Sequence, residues 1–270
     1  MKIGNHTFQE GHTHVMGILN VTPDSFSDGN KYNTVDRALK HVEQMVVDGV
    51  DLIDVGGEST RPGFTPVAEQ DEIQRVVPVI KEIKKRFDVP ISIDTTKDGV
   101  AVAAMDAGAE LVNDIWGFQK EPKIARAVAA YSASCCLMHN LDQPVYGNFM
   151  ADVLDRLEDC IDTAIYYGVD KDKIMIDPGI GFAKSQEQNL YLTAHVGELK
   201  KTGFPVLLAT SRKSMIGNAL DLPVDQRLEG TLATTALAVE AGCLFVRVHD
   251  VKENVRLIRM LEALGHSKLD

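Results

Sequence analysis

Eight short apolar runs recur along this chain, and each closes on polar residues that open a loop. Val15-Met-Gly-Ile-Leu19 runs into Asn20, and Leu52-Ile-Asp-Val-Gly-Gly57 into Glu58-Ser-Thr-Arg-Pro62. Ile91-Ser-Ile93 ends at Asp94, Leu111-Val112 at Asn113-Asp114, and Ser134-Cys-Cys-Leu-Met138 at His139. Ile174-Met-Ile176 ends at Asp177, Val206-Leu-Leu-Ala209 leads to Ser211-Arg-Lys213, and Leu244-Phe-Val246 to Arg247-Val-His249-Asp250. Runs this short and this apolar read as buried strands. The stretches between them carry helical periodicity, at about 34–48, 68–86, 97–107, 122–131, 150–168, 186–201, 225–241 and 251–264. In the first of these the apolar face is Ala38, Val42, Met45 and Val46. Strands alternating with helices give a parallel sheet, and eight such units close into a barrel whose C-terminal strand ends share one mouth. The fold class is therefore α/β, a single (β/α)8 TIM barrel with a short N-terminal hairpin at about residues 2–13 closing its bottom.

A chain of 270 residues is the usual size of one such barrel, so one domain is expected over 1–270, with a motif-bearing core over 14–265. Its 44% hydrophobic content fills one large core, and no run is long enough to span a bilayer. The first residues lack the apolar centre of a signal peptide. Cys135, Cys136, Cys160 and Cys243 show no C-x-x-C spacing and read as free buried thiols in a reducing cytoplasm. A net charge of −11 argues against nucleic acid as a partner, while Arg61, Lys213 and Arg247 at strand ends form a local positive patch suited to a small anion. Two strand-to-helix connections, 20–33 and 56–67, are long and rich in Pro, Gly, Ser and Thr, and read as mobile loops over the mouth. His12-Thr-His14 is an H-x-H pair of the kind amidohydrolases use for metal. It precedes the first barrel strand, however, at the end away from the mouth, and strands 5 and 6 do not both end in His.

The blocks NVTPDSFSDG at 20–29, GGESTRPG at 56–63, SIDT at 92–95, NDIWG at 113–117, DPGIGF at 177–182, SRKS at 211–214 and RVHD at 247–250 resemble the dihydropteroate synthase family, in its order and at its spacing. The resemblance implies condensation of (7,8-dihydropterin-6-yl)methyl diphosphate with p-aminobenzoate, with release of pyrophosphate and with Mg²⁺ present, in folate biosynthesis. It also implies sulfonamide inhibitors, a cytoplasmic homodimer, and no membrane partner. Two other readings stand beside it: a non-catalytic pterin-binding paralogue, and a barrel like the folate-dependent corrinoid methyltransferases.

A pterin presents a guanidine-like edge beside a carbonyl, and its recognition calls for a carboxylate, an amide and a cation. By the resemblance, Asp94, Asn113, Ile115, Met138, Asp177, Phe182 and Lys213 bind the pterin. Asn20, Thr60, Arg61, Arg247 and His249 take the diphosphate, and Asn20 is the metal ligand. Phe26, Pro62, Phe182 and Ser214 form the p-aminobenzoate slot, and Asp94, Lys213, Asp28 and Arg61 are the catalytic set. Loss of pyrophosphate leaves a pterin methyl cation, and Asp94 is the fixed negative charge beside it. The chain departs from the family pattern at Asn30, Ala183 and Ala209, where Gly is usual, and Met138-His139-Asn140 matches only part of its segment. Glu58 has no assigned role.

Overall fold

The computed structural model describes residues 1–22, 31–58 and 67–266, the side chains of 31–34 and 266 aside. β1 (Lys2–Ile3) and β2 (His6–Thr7) pair as an antiparallel hairpin. Eight parallel strands follow: β3 (His14–Asn20), β4 (Leu52–Gly56), β5 (Ile91–Asp94), β6 (Leu111–Asp114), β7 (Ser134–Met138), β8 (Ile174–Asp177), β9 (Leu207–Leu208) and β10 (Phe245–Val248). Each pairs with its neighbour in sequence, β10 pairs with β3, and a parallel bridge between Ile176 and Val206 joins β8 to the β9 strand, so the sheet closes into a barrel. Around it lie α1 (Lys31–Asp48), α2 (Glu69–Arg86), α3 (Asp98–Asp106), α4 (Lys123–Ala130), α5 (Phe149–Tyr166), α6 (Gln186–Ala194), α7 (Ser214–Leu220), α8 (Leu228–Ala241) and α9 (Val251–His266).

Both faces of each strand are covered, which is why the runs look almost continuously apolar, yet a period of two still sorts them. Outward residues such as Val15, Ile53, Val55, Ile91, Ile93, Val112 and Val246 are β-branched and pack against the helices in one large cluster. Inward residues near the strand starts (Met16, Leu52, Leu111, Cys136, Met175, Leu207 and Phe245) form a second cluster, and Ile3 and Phe8 of the hairpin segment complete it from below. The Ser134 hydroxyl donates to the Lys2 carbonyl at 2.7 Å, tying the hairpin to the β7 start. The bottom is thus sealed by apolar packing, as expected. The inward positions one layer higher are Asp54, Asp94, Asn113, Asp177 and Arg247, and these face the mouth. Four cysteines are free and buried, and among the described residues no helix is long and apolar enough to cross a membrane.

Three local expectations are corrected. In α1 the buried face takes Leu39 with Ala38, Val42 and Met45, whereas Val46 is 39% exposed, because the i, i+3, i+4 stripe runs 35, 38, 39, 42, 45. The helix expected over 186–201 stops at Ala194, where His195 leaves helical geometry (φ −112°, ψ 23°) and a 3-10 segment carries on to Thr202. The helix expected from 225 begins at Leu228, and the short α7 precedes it, ended by Asp221 in a left-handed conformation (φ 53°).

Candidate active site

A cavity of about 580 Å³ opens where the barrel strands end. Asn20, Asp94, Asn113, Ile115, Met138, Asp177, Phe182, Lys213, Ser214, Arg247 and His249 all line it, so every expected site residue that is described comes together there. Phe26, Asp28, Thr60, Arg61 and Pro62 lie outside the described residues.

The floor is built around one guanidinium. Arg247, inward on β10, donates through Nε to Asp54 Oδ2 at 2.6 Å and through Nη2 to Asp94 Oδ2 at 2.8 Å. Asp54 is fully buried on β4, one inward position below Gly56, which pairs in register with Asp94. Asn113 Nδ2 also donates to Asp54 Oδ2, at 3.3 Å. Burial works against the charge on Arg247, but Asp54 and Asp94 hold its pKa above the usual arginine value. Burial pushes Asp94 well above the usual carboxylate range, Arg247 draws it back, and the neighbouring Asp54 adds to the rise. The expectation of Arg247 as part of an open positive patch is therefore corrected: its charge is already matched by two buried carboxylates. Among the described residues Asp54 Oδ1, Asp94 Oδ1 and Ser92 Oγ are buried without a hydrogen-bond partner. Unmatched buried acceptors are costly, and Asp94, the one of these three residues in the cavity wall, marks where a ligand's donor completes the set.

Across the mouth, Asp177 Oδ1 accepts from the Gly179 backbone N–H at 2.7 Å. Burial raises the Asp177 pKa, while Lys213 and that N–H oppose the rise. Lys213 Nζ donates to the Ile180 carbonyl at 2.5 Å and stands 5.0 Å from the centre of the Phe182 ring. Burial lowers its pKa to about 8, against the attraction of Asp177. His249 is set by Ser211, whose Oγ lies 2.9 Å from Nδ1 and accepts from the His249 N–H at 3.1 Å. Arg212 makes a salt bridge with Asp250 behind it.

Four contributions were missed in the sequence. Asp54 sits in the middle of an apolar run, and the only signal was that it shares inward parity with Gly56. Ser211 carries no signal in SRKS beyond its place before Arg212 and Lys213. Lys184, just past DPGIGF, donates from Nζ to the carbonyls of Gly179 and Phe182, each at 3.0 Å, and contacts His139 Nδ1 at 2.8 Å. It staples the Asp177–Phe182 turn to the end of β7. That turn requires Gly179: φ is +68°, and a Cβ there would lie 2.0 Å from the His139 carbonyl oxygen. Glu58, unassigned from sequence, accepts from the Val67 N–H at 2.5 Å and from Lys97 Nζ at 2.7 Å, while Lys97 also reaches Glu72 at 2.5 Å. This clasp joins the two flanks of segment 59–66.

The chain matches the family model "Pterin binding enzyme" over residues 16–249. It is 54% identical over 266 residues to the dihydropteroate synthase of Clostridium beijerinckii, covering 98% of this chain and 99% of that one. A crystal structure of the Clostridium difficile dihydropteroate synthase in the presence of pteroic acid superposes with a TM-score of 0.94 at 48% identity, covering 97% of this chain and 100% of the other. The Yersinia pestis dihydropteroate synthase with a sulfonamide drug complex superposes at 0.91 with 42% identity, over 99% of each chain. Family model, relatives and geometry agree on one conclusion: the chain belongs to the dihydropteroate synthases.

Proposed function

We propose that this cavity runs the dihydropteroate synthase reaction by a dissociative path, with ionisation of the pterin diphosphate preceding attack by the amine. The reaction, a transfer step of folate biosynthesis, joins (7,8-dihydropterin-6-yl)methyl diphosphate to p-aminobenzoate and releases pyrophosphate. Asp177, with Asn113, reads the guanidine-like edge of the pterin, Lys213 meets its carbonyl, and Ile115, Met138 and Phe182 pack on the ring. The observation that carries the reading is a pair of buried carboxylates lining the cavity, Asp94, held by Arg247 at 2.8 Å, and Asp177, beside Lys213. A preorganised carboxylate in a buried site stabilises a cationic intermediate without reorganisation. Asp94 is the nearest member of that set to the expected cation, and Arg247 holds it in place. His249, anchored by Ser211, together with Thr60 and Arg61, takes the departing diphosphate. Phe26, Asp28 and Pro62 belong to the loops that complete the p-aminobenzoate slot beside Phe182, and Ser214 meets its carboxylate. Sulfonamides compete at that slot.

Mg²⁺ suits the residues present: Asn20 offers a neutral amide oxygen at a strand end beside Gly56, where a Cβ would stand 3.6 Å from Oδ1. When bound there, it supplies charge neutralisation of the diphosphate. The working form is a cytoplasmic homodimer joined through α8 and α9. Leu237, Met260 and Leu264 on these adjacent helices are exposed, and four unpaired buried thiols suit a reducing compartment.

The test is pyrophosphate release by purified protein. Sustained turnover is expected only with Mg²⁺, pterin diphosphate and p-aminobenzoate together. Steady release in EDTA, or without p-aminobenzoate, would overturn the scheme.

A further inference from the structure

At the opposite end of the barrel, the H-x-H pair has a use that the mouth does not absorb. One ring nitrogen of His12, one of His14 and a carboxylate oxygen of Asp51 lie within 4.8 Å of one another. His14 Nδ1 is 3.3 Å from Asp51 Oδ1. That is long for a charge-assisted hydrogen bond, but it is the spacing two ligands keep across a tetrahedral centre with bonds of about 2.0–2.1 Å. Asp51 Oδ2 is held by the Val15 N–H at 2.8 Å, which orients the carboxylate and leaves Oδ1 for a ligand bond. Glu262, on α9, places its two oxygens 2.7 and 2.9 Å from His12 Nδ1. A carboxylate on one imidazole nitrogen fixes the tautomer and raises the basicity of the other, the usual support of a metal-bound histidine. The two imidazoles meet edge to face, with ring centres 4.5 Å apart. Among the described residues His14 Nε2 is buried with no hydrogen-bond partner, so the polar outlet of this ring is Nδ1, on the Asp51 side. Among the described residues neither Asp51 nor Glu262 has an ion pair with Lys or Arg, so two negative charges face only histidines.

We propose that His12, His14 and Asp51 form a binding site for a divalent transition metal, zinc being the best fit, with water as fourth ligand and Glu262 as the positioning carboxylate. Imidazole donors favour zinc over the hard, oxygen-seeking magnesium. A 2+ ion neutralises the two carboxylates, and closing the triangle brings ligand atoms now within 4.8 Å of one another to the roughly 3.3 Å edge of a tetrahedral site. His14 and Asn20 are opposite ends of β3, six residues apart at about 3.3 Å each, so the ion would lie about 20 Å from the mouth. It would act as a clip, joining the segment before β3, the start of β4 and α9.

The test uses untagged, EDTA-stripped and dialysed protein titrated with zinc chloride in excess Mg²⁺, read by calorimetry and thermal melting. One equivalent is expected to bind at or below about 10 µM and to raise the melting temperature, since an ion that binds only the folded state stabilises it. His12→Ala and Asp51→Asn should weaken binding at least about tenfold, and Glu262→Gln by about tenfold through lost orientation. His12 is exposed, and the amide introduced by Asp51→Asn would keep an oxygen for the Val15 N–H, so circular dichroism should show these variants folded. X-ray absorption should count two imidazoles. No saturable zinc binding, or equal affinity in His12→Ala, overturns the proposal. Pyrophosphate release does not depend on either outcome.

Discussion

Asp54 and Asp94 share Arg247, and the two carboxylates are expected to respond differently to substitution. Asp54 is fully buried, so removing it strands the guanidinium in a low-dielectric floor. Asp54→Ala should cost about 3–5 kcal/mol of folding stability, the range for breaking a buried pair from one side. Chemical denaturation checks this, and a loss under about 1 kcal/mol would mean the pair behaves as if solvated. Asp94→Asn keeps shape and removes charge, so it should lower kcat far more than pterin affinity, because its contribution peaks in the transition state. Calorimetry with a pterin analogue beside steady-state kinetics separates the two, and equal losses would remove Asp94 from the cation's side. At Ala183 the backbone sits at φ +46°, which L-residues adopt at a cost of about 1–2 kcal/mol. Ala183→Gly should raise stability by up to about 1 kcal/mol after the extra chain entropy of glycine is subtracted. An unchanged denaturation midpoint would show the turn to be unstrained.

Among elements, the strands were the most legible in sequence, because eight apolar runs with polar stops admit few architectures. The candidate mouth was legible for the same reason: Asp94, Asn113, Asp177 and Arg247 stand in the last residues of their strands and Lys213 in the loop after its own. What escaped has a common cause. Asp54 lies inside an apolar run, where its neighbours dictate a core reading, and only inward parity marks it. Lys184 and Glu58 act on backbone atoms of distant or adjacent segments, and no spacing rule encodes such a contact. Helix ends at 194 and 228 depend on tertiary packing more than on propensity. The turn Asp177–Phe182 shows why Lys184 matters. Lys184→Met deletes the Nζ contacts to Gly179, Phe182 and His139 together, and should raise the KM for the pterin diphosphate by about tenfold or more with far-UV circular dichroism unchanged. Lys184→Arg should recover part of that loss. A KM equal to wild type in Lys184→Met would assign the turn's shape to Gly179 alone.

For the whole molecule, the mouth is a region where function opposes stability. Lys213 titrates near 8 in the fold, against an ordinary value of 10.5. Its depressed pKa contributes stability above pH 10.5 that is lost as pH falls through about 8. Asp114, buried at the end of β6, titrates near 6 instead of 3.8. Its raised pKa contributes stability below pH 3.8 that is lost as pH rises through about 6. Between about 6 and 8 neither Lys213 nor Asp114 contributes its benefit. Burial lowers the Lys184 pKa to about 7 and adds to the same rise. The increase in wild-type stability between pH 8 and 10.5 should therefore shrink in Lys213→Met, measured by urea denaturation across that range, and an unchanged slope would place the titration elsewhere. Correspondingly, kcat/KM should fall as pH rises through about 8, and Lys213→Arg should carry that limb upward. The sealed floor and the helical shell bear the folding, so the mouth can carry such losses. The clasp of Glu58 on Val67 and Lys97 extends this division into evolutionary time. Because the flanks of segment 59–66 are fastened to each other, a change in the number of residues between them leaves the fastening, and with it the barrel, in place. Lineages under selection at the mouth can therefore lengthen or shorten this segment as a unit, whereas a change at Glu58 itself would unfasten it.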